Sequence, residues 1–314
     1  METRSLGPFR VGAIGLGCMP MHWAYLGDAD DRRSLGVIHR ALELGVTHLD
    51  TADVYGPFTN EDLVGRALVG RHGDAVLATK VGLVVGPTGG YPLDHDASPA
   101  HIRASIDEQL RRLRVEAIDL YYLHRVDPAV PLEESWGAMA ELVRAGKARA
   151  LGMSEVSVEE LERASAIHPV AAVQSELSLW TRDRLDDVVP WCAANGAGFV
   201  PYAPLGRGYL TGAITEASFD GRDFRSTNPR FTEEAIRANR AIVDRLREVA
   251  GRHGATPAQA AIAWCLAQGP HVVPIPGTKR RRWLEENVAA AELRLTVEDL
   301  RDLDSTPASV APRY

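Results

Sequence analysis

Short apolar runs and amphipathic stretches alternate along the chain from Val11 onward. The run "VGAIGLG" comes first, followed by helical spacing over residues 31–44 and then by "VTHLD". "EDLVGRALV" repeats apolar residues at helical intervals, and "AVLATK" reads as the third strand. Ser98 is the expected N-cap of the next helix, with Pro99 at its first position. "IDLYYLH" is the fourth strand, and a helix over 132–145 ends at Gly146, a residue suited to a C-cap. "ARALGMS", "VAAVQSE", "AGFVPYA" and "VVPIPG" continue the strands. Helices are expected in "SVEELERASAI", over 182–194, 232–252 and 257–267, and in "RRWLEENVAAAEL".

Near-continuous apolar strands separated by helices imply a parallel sheet covered on both faces. Eight such units imply closure, since an open sheet would leave two bare edges. The expected fold is a single-domain (β/α)8 TIM barrel spanning residues 1–314, because no linker or composition shift divides the chain. In such a barrel, chemistry sits at the carboxyl ends of the strands.

Composition narrows the class. Among 314 residues, 45% are hydrophobic and 25% charged, as in an ordinary soluble globular protein. The three cysteines, Cys18, Cys192 and Cys265, are widely spaced with no paired or metal-ligand pattern, which fits a reducing compartment. "METRSLGPFR" lacks the apolar stretch of a signal peptide, and no run approaches ~18 apolar residues, so a cytoplasmic location away from membranes is expected. A net charge of −7 argues against a nucleic-acid or anionic-membrane partner. Only three of 35 basic residues are lysines, Lys80, Lys147 and Lys279, which makes each lysine position informative.

Polar residues mark the strand ends: Asp50, Lys80, His124, Ser154, Gln174 and Tyr202, in that order. Singly, Asp50 suits a turn, Lys80 a snorkelling rim position and His124 a satisfied core site. Together they carry more, because a buried lysine needs a counter-charge and Asp50 stands on the neighbouring strand. Tyr55, five residues beyond Asp50, can reach the same rim. Beside an ammonium its phenol is expected to fall from an ordinary value of about 10 toward neutrality and to serve as a proton donor.

The stretches "LDTADVYG", Thr79–Lys80, "YYLHRVDP", "GKARALGMSE", "QSELSLW", "YAPLGRGYLTG" and "IPGTKRRRWLEENV" occur in order along the chain. As a set they resemble the aldo-keto reductase superfamily, most closely the bacterial and plant NADPH-dependent members whose fifth strand ends in Ser-Glu. The resemblance implies a catalytic tetrad of Asp50, Tyr55, Lys80 and His124. It implies an oxidoreductase, acting on CH-OH donors with NADP as acceptor, that reduces small aldehydes or ketones by hydride transfer, with Tyr55 as general acid. It also implies that Ser154 and Gln174 hold the nicotinamide carboxamide and that Tyr202 stacks on the ring. The backbone of Ala203, Pro204, Leu205, Gly206, Arg207 and Gly208 would approach the pyrophosphate, and Glu286 and Asn287 the adenine. Many relatives place Asn after the serine; here Glu155 stands there. Relatives also carry an arginine where this chain has Trp283.

Gly12, Gly15 and Gly17 superficially match a dinucleotide fingerprint, but no helix opens until near residue 30, so they read as close packing. At that strand's end Gly17, Cys18 and Met19 are counted with the cofactor side, and Met21 and Trp23, with Met19, as a substrate-pocket wall. "GTKRRRW" favours NADP over NAD. Basic residues in a first helical turn oppose the helix dipole unless an anion is present. Lys279 and Arg280, with Thr278, can supply charged and neutral donors to a 2′-phosphate, and Gly277 before them is counted with the cofactor side. The irregular stretch 205–229 is expected to fold over the cofactor. Two other readings remain. One is a nucleotide-loaded regulatory barrel, as in the potassium-channel β subunits. The other is a metal or phosphate-sugar barrel, for which no convergent ligand set stands in the chain.

Overall fold

Parallel strands with helices between them dominate the computed structural model, which describes residues 1–25, 30–86, 93–221 and 223–313. The chain opens with an antiparallel hairpin, β1 (Thr3–Leu6) and β2 (Phe9–Gly12). The barrel then runs β3 (Leu16–Gly17), α1 (Asp31–Glu43), β4 (His48–Asp50), α2 (Thr59–Ala67) and β5 (Val76–Val81). A small antiparallel excursion, β6 (Leu83–Val84) with β7 (Asp94–His95), precedes α3 (Pro99–Leu113) and β8 (Ile118–Leu123). Next come α4 (Leu132–Arg144), β9 (Ala148–Ser154), α5 (Val158–Ser165), β10 (Ala172–Glu176), α6 (Val188–Asn195) and β11 (Gly198–Tyr202). After an irregular stretch follow α7 (Glu233–Ala238), α8 (Arg240–Arg252), α9 (Pro257–Ala267), α10 (Arg281–Ala289) and α11 (Val297–Asp304). No helix of the described residues is long and apolar enough to cross a membrane.

Seven strands pair in the order β11-β10-β9-β8-β5-β4-β3, all in parallel. The expected eighth strand closes the ring without forming a regular ladder. Val273 N–H donates to Phe199 O at 2.8 Å and Ile275 N–H to Pro201 O at 3.0 Å. On the other side Gly15 N–H donates to Pro274 O at 2.9 Å, and Gly17 bridges Gly277. Pro274 and Pro276 have no N–H to give, which is why only isolated bridges form here. The result is a (β/α)8 barrel.

Two other expectations change. Val11 and Gly12 belong to the hairpin and not to the first barrel strand. The hairpin's Leu6 and Val11 pack with Leu120, Val200 and Val273, plugging the barrel from its amino-terminal end. The helix expected from residue 182 begins at Val188, because the Asp187 side chain accepts the Val188 N–H and starts it there. At α3 the expectation holds: Ser98 Oγ accepts the His101 N–H at 3.2 Å, and Pro99 fills the first turn.

Candidate active site

Period-two alternation carries the strand-end residues inward. Lys80 pairs in register with Tyr122, Gly17 with Asp50, and Gln174 with Ser154 and Val200. Ala78, Leu120, Tyr122, Ala150, Ala172 and Val200 fill the barrel interior. Thr79 and its odd-numbered neighbours face the helices instead. At Gly152 a Cβ would lie 2.4 Å from the Tyr122 ring, so the glycine makes room for that ring inside the barrel.

On this floor Lys80 is wholly buried. Its Nζ donates to Asp50 Oδ1 at 2.5 Å, to Thr51 O at 2.7 Å and to Tyr55 Oη at 3.3 Å. Burial lowers the Lys80 ammonium, and the charge and hydrogen bond of Asp50 offset part of that. The Tyr55 ring meets His124 edge-on, centroids 6.0 Å apart, and Trp23 at 5.8 Å. The four expected residues Asp50, Tyr55, Lys80 and His124 therefore come together.

The expected acidity of Tyr55 is reversed. Burial first, then the Asp50 carboxylate, push the phenol well above its ordinary value, and the Arg125 charge offsets only part. Lys80 does not face Tyr55 as a bare cation, because its charge is matched by Asp50. The phenol thus sits beside a neutral pair in a poorly solvated wall. His124 moves the other way: burial, then the charges of Lys80 and Arg125, hold its imidazole well below the ordinary value, hence neutral. Its Nδ1 is buried without a hydrogen-bond partner.

A polar network steadies this centre from outside the barrel, and nothing in the sequence marked it. Glu61 on α2 accepts from Thr79 Oγ1 at 2.7 Å, Gln109 Nε2 at 3.1 Å and Arg112 Nε at 2.7 Å. Gln109 also donates to the Lys80 carbonyl at 2.9 Å, tying α3 to β5 behind the lysine. Asn60 links the loops after β4 and β3, donating to Cys18 O at 3.0 Å and accepting from Thr51 Oγ1 at 2.7 Å.

Not all of the first strand's expected contributors face the site. Met19 and Trp23 do border Tyr55, with Ala52, Val54, Leu83, Val85 and Leu93. Met21, expected in the pocket wall, is buried in the main core, as is Cys18, whose thiol burial and the Asp50 charge push up to about 12. The short 3-10 turn after β3 sets these directions: it alternates Met19 outward and Met21 inward. Gly17 is packed close, as expected, with a Cβ there only 2.9 Å from Ile275 O.

On the opposite rim, Ser154 closes β9 and its Oγ accepts from Arg125 Nη1 at 2.9 Å. Gln174 Nε2 donates to Asp50 Oδ2 at 2.7 Å, a bond across 124 residues. Since a carboxylate only accepts, the amide nitrogen of Gln174 must face Asp50. Glu155 and Ala203 follow strand ends with φ of 57° and 48°, and Arg207 has φ 54°, left-handed values costly for side-chain-bearing residues. In the loop after β11, Gly206 and Gly208 also have positive φ, and Gly206 is buried where a Cβ would lie 2.8 Å from the Trp180 ring. Arg207 turns its guanidinium to Glu176 at 2.9 Å, away from any outward role for its side chain. The stretch 205–229 reaches across the barrel mouth, where Phe224 N–H donates to Ala24 O at 3.0 Å; Arg222 within it lies outside the described residues.

At the far end Gly277 and Thr278 follow the closing segment. Thr278 Oγ1 accepts the Arg280 N–H at 3.1 Å, and Arg280 is the exposed N-cap residue of α10. No acidic residue lies in that first turn, and Lys279 is half-buried beside it. Glu286, expected near an adenine, accepts through Oε1 from Thr256 Oγ1, the N-cap of α9, at 2.7 Å, while Asn287 is buried. Cavities of about 220 and 260 Å³ lie along residues 209–247 and include none of the tetrad side chains. The convergence of charges, and not open volume, marks the candidate site.

Comparison with known proteins adds an independent line. The Aldo/keto reductase family pattern matches residues 13–307. A probable aldo-keto reductase 1 of Glycine max is 43% identical over 297 residues, covering 94% of this chain and 85% of that protein. The glycerol dehydrogenase of Gluconobacter oxydans superposes with a TM-score of 0.88 at 32% identity, over 99% of this chain and 98% of its own. An aldo/keto reductase from Klebsiella pneumoniae, solved with NADP and acetate, gives 0.77 at 26% identity, over 100% and 99% of the two chains.

Proposed function

Since the chain belongs to the aldo/keto reductase family, we propose that it reduces aldehydes or ketones to alcohols with NADPH, Tyr55 giving the proton. The observation that carries this reading is the buried Lys80 Nζ, shared between Asp50 at 2.5 Å and Tyr55 Oη at 3.3 Å. When bound, NADPH supplies the hydride taken up by the carbonyl carbon.

Tyr55 stays protonated at neutral pH and donates a hydrogen bond to the carbonyl oxygen. As that oxygen gains alkoxide character it becomes more basic than a phenolate, and the proton crosses. The Lys80 ammonium then lies next to the phenolate that forms, and Asp50 keeps that ammonium charged despite its burial. Neutral His124 offers a ring N–H to the same oxygen. Met19, Trp23, Leu83 and Leu93 supply an apolar wall for the rest of a small substrate.

The residues present fit the cofactor. Ser154, accepting from Arg125, keeps its O–H as a donor, and Gln174, donating to Asp50, keeps its carbonyl as an acceptor. One donor and one acceptor suit a carboxamide. Tyr202 is assigned to the face of the nicotinamide ring, and the backbone at the half-buried Ala203, Leu205 and Gly208 to the pyrophosphate. Thr278, Lys279 and Arg280, at a helix start lacking acidic residues, suit a 2′-phosphate, and Asn287 lies toward the adenine. The Klebsiella relative holding NADP supports this assignment. The stretch 205–229, already bonded to Ala24, acts as the cover.

Mixing the purified chain with NADPH and a reactive aromatic aldehyde tests the proposal. Oxidation of NADPH is expected in the wild type and its near-complete loss, with binding retained, in Tyr55→Phe. Tight NADPH binding without turnover by the wild type would favour a regulatory barrel instead.

A further inference from the structure

Two buried carboxylates have no part in that chemistry. Glu176 closes β10 with no exposure, and Glu155 follows β9. Glu155 Oε1 accepts the Glu176 N–H at 2.8 Å, so the two form one unit. Arginines from three distant segments converge on them. Arg207 donates to Glu176 through Nη2 at 2.9 Å and Nη1 at 3.3 Å, and Arg230 Nη1 lies 3.6 Å from Glu176 Oε1. Arg313 grips Glu155 with both terminal nitrogens, at 3.0 and 2.7 Å, and its Nε stands 4.0 Å from Glu176.

The segments behind these arginines are themselves fastened together. Asn239 holds Val310 from both sides, accepting its N–H at 2.7 Å and donating to its carbonyl at 3.1 Å. Asn228 donates to Arg313 O at 3.0 Å, and Arg230 to Ser309 Oγ at 3.2 Å. Burial pulls the Arg313 guanidinium down, but the Tyr202 phenol first, and then the pairing with Glu155 and Glu176, outweigh that and raise it. Burial likewise pushes Glu155 up, and Arg313 more than reverses the shift. A buried ion cluster of this kind is costly unless every member is satisfied, so losing one arginine strands a carboxylate. Arg207 bears the further burden of left-handed backbone, and its anchorage on Glu176 fixes the path of residues 205–208.

We propose that Glu155 and Glu176 are positioning residues for the cofactor: they lock the loop after β11 and residues 309–313 into one clasp, so that retention of NADPH depends on Arg313. The proposal rests on the NADPH reading above and deepens it. Arg313 needs no contact with the dinucleotide for this. Its effect travels through Glu155 and Glu176 to Arg207.

Arg313→Met tests it in the full chain, read by tryptophan-fluorescence titration and stopped-flow dissociation of NADPH. Dissociation is expected to quicken by about tenfold or more, while the single-turnover rate with saturating NADPH changes less than about threefold, a split that general destabilisation would not produce. Arg313→Lys should recover part of the loss, since a point charge keeps the pairing but not the fork. Glu155→Gln should match Arg313→Met, and the double variant should be no worse. Unchanged dissociation in Arg313→Met overturns the proposal. If the wild type fails to bind NADPH, the cofactor reading falls, and limited proteolysis within 205–229 still decides the clasp: faster cleavage in Arg313→Met supports it, equal cleavage refutes it.

Discussion

Lys80 and Asp50 form a 2.5 Å ion pair whose side chains are 0% and 3% exposed. Removing either partner leaves a charge buried without its match, so Asp50→Asn and Lys80→Met should each lose about 3–5 kcal/mol. Asp50→Asn/Lys80→Met should lose clearly less than the sum. Urea denaturation of the three variants measures this. Single variants within about 1 kcal/mol of wild type would show that the pair is not a structural necessity.

In the proposed function Tyr55 belongs to the chemistry and not to the fold's support. Tyr55→Phe should lower kcat by roughly 10²–10⁴-fold with NADPH affinity and unfolding midpoint nearly unchanged. Parallel losses in binding and turnover would remove the phenol from its assigned role.

The pH profile follows from two opposite shifts. The proposed reduction needs Tyr55 protonated and His124 neutral, and the surroundings favour both forms. The rate constant for reduction should therefore stay flat through neutrality and decline only at strongly alkaline pH. Unfolding releases His124 to take up a proton, so its burial lowers stability as pH falls below about 6.5. An inflection in rate near neutrality that disappears in His124→Gln would contradict the neutral assignment.

The nucleotide preference should reside at the start of α10. Lys279→Met/Arg280→Met is expected to weaken NADPH by roughly 10–100-fold, the loss of one or two charge-assisted bonds. NADH affinity should hardly move. Titrating both nucleotides checks it, and equal weakening of the two would place the 2′-phosphate elsewhere.

What could be read in advance was whatever the chain states locally. Asp50, Lys80 and His124 each end an apolar run, and strand adjacency brings them together without further information. Side-chain directions in the turn after β3 depend on a single 3-10 geometry, so Met21, expected in the pocket wall, lies inward, and the Cys18 thiol is buried with it. Glu176 stood in plain view within "QSELSLW", yet its meaning comes from Arg207, Arg230 and Arg313, at separations no periodicity spans. The raised phenol of Tyr55 is not legible in the chain, because charge pairing and burial are properties of the folded site. Sequence showed the cation but not how completely Asp50 matches it.

The amino-terminal hairpin has a consequence for traffic. With Leu6 and Val11 seated against Leu120 and Val200, the described residues close the barrel at its amino-terminal end and leave the strand-end rim as the approach. Reagents that share one doorway queue by depth. If the cofactor and the carbonyl both enter by that rim, as proposed, whichever lies deeper must arrive first and leave last, so a stopper on the far side of the molecule would set an order of binding at a site it never touches.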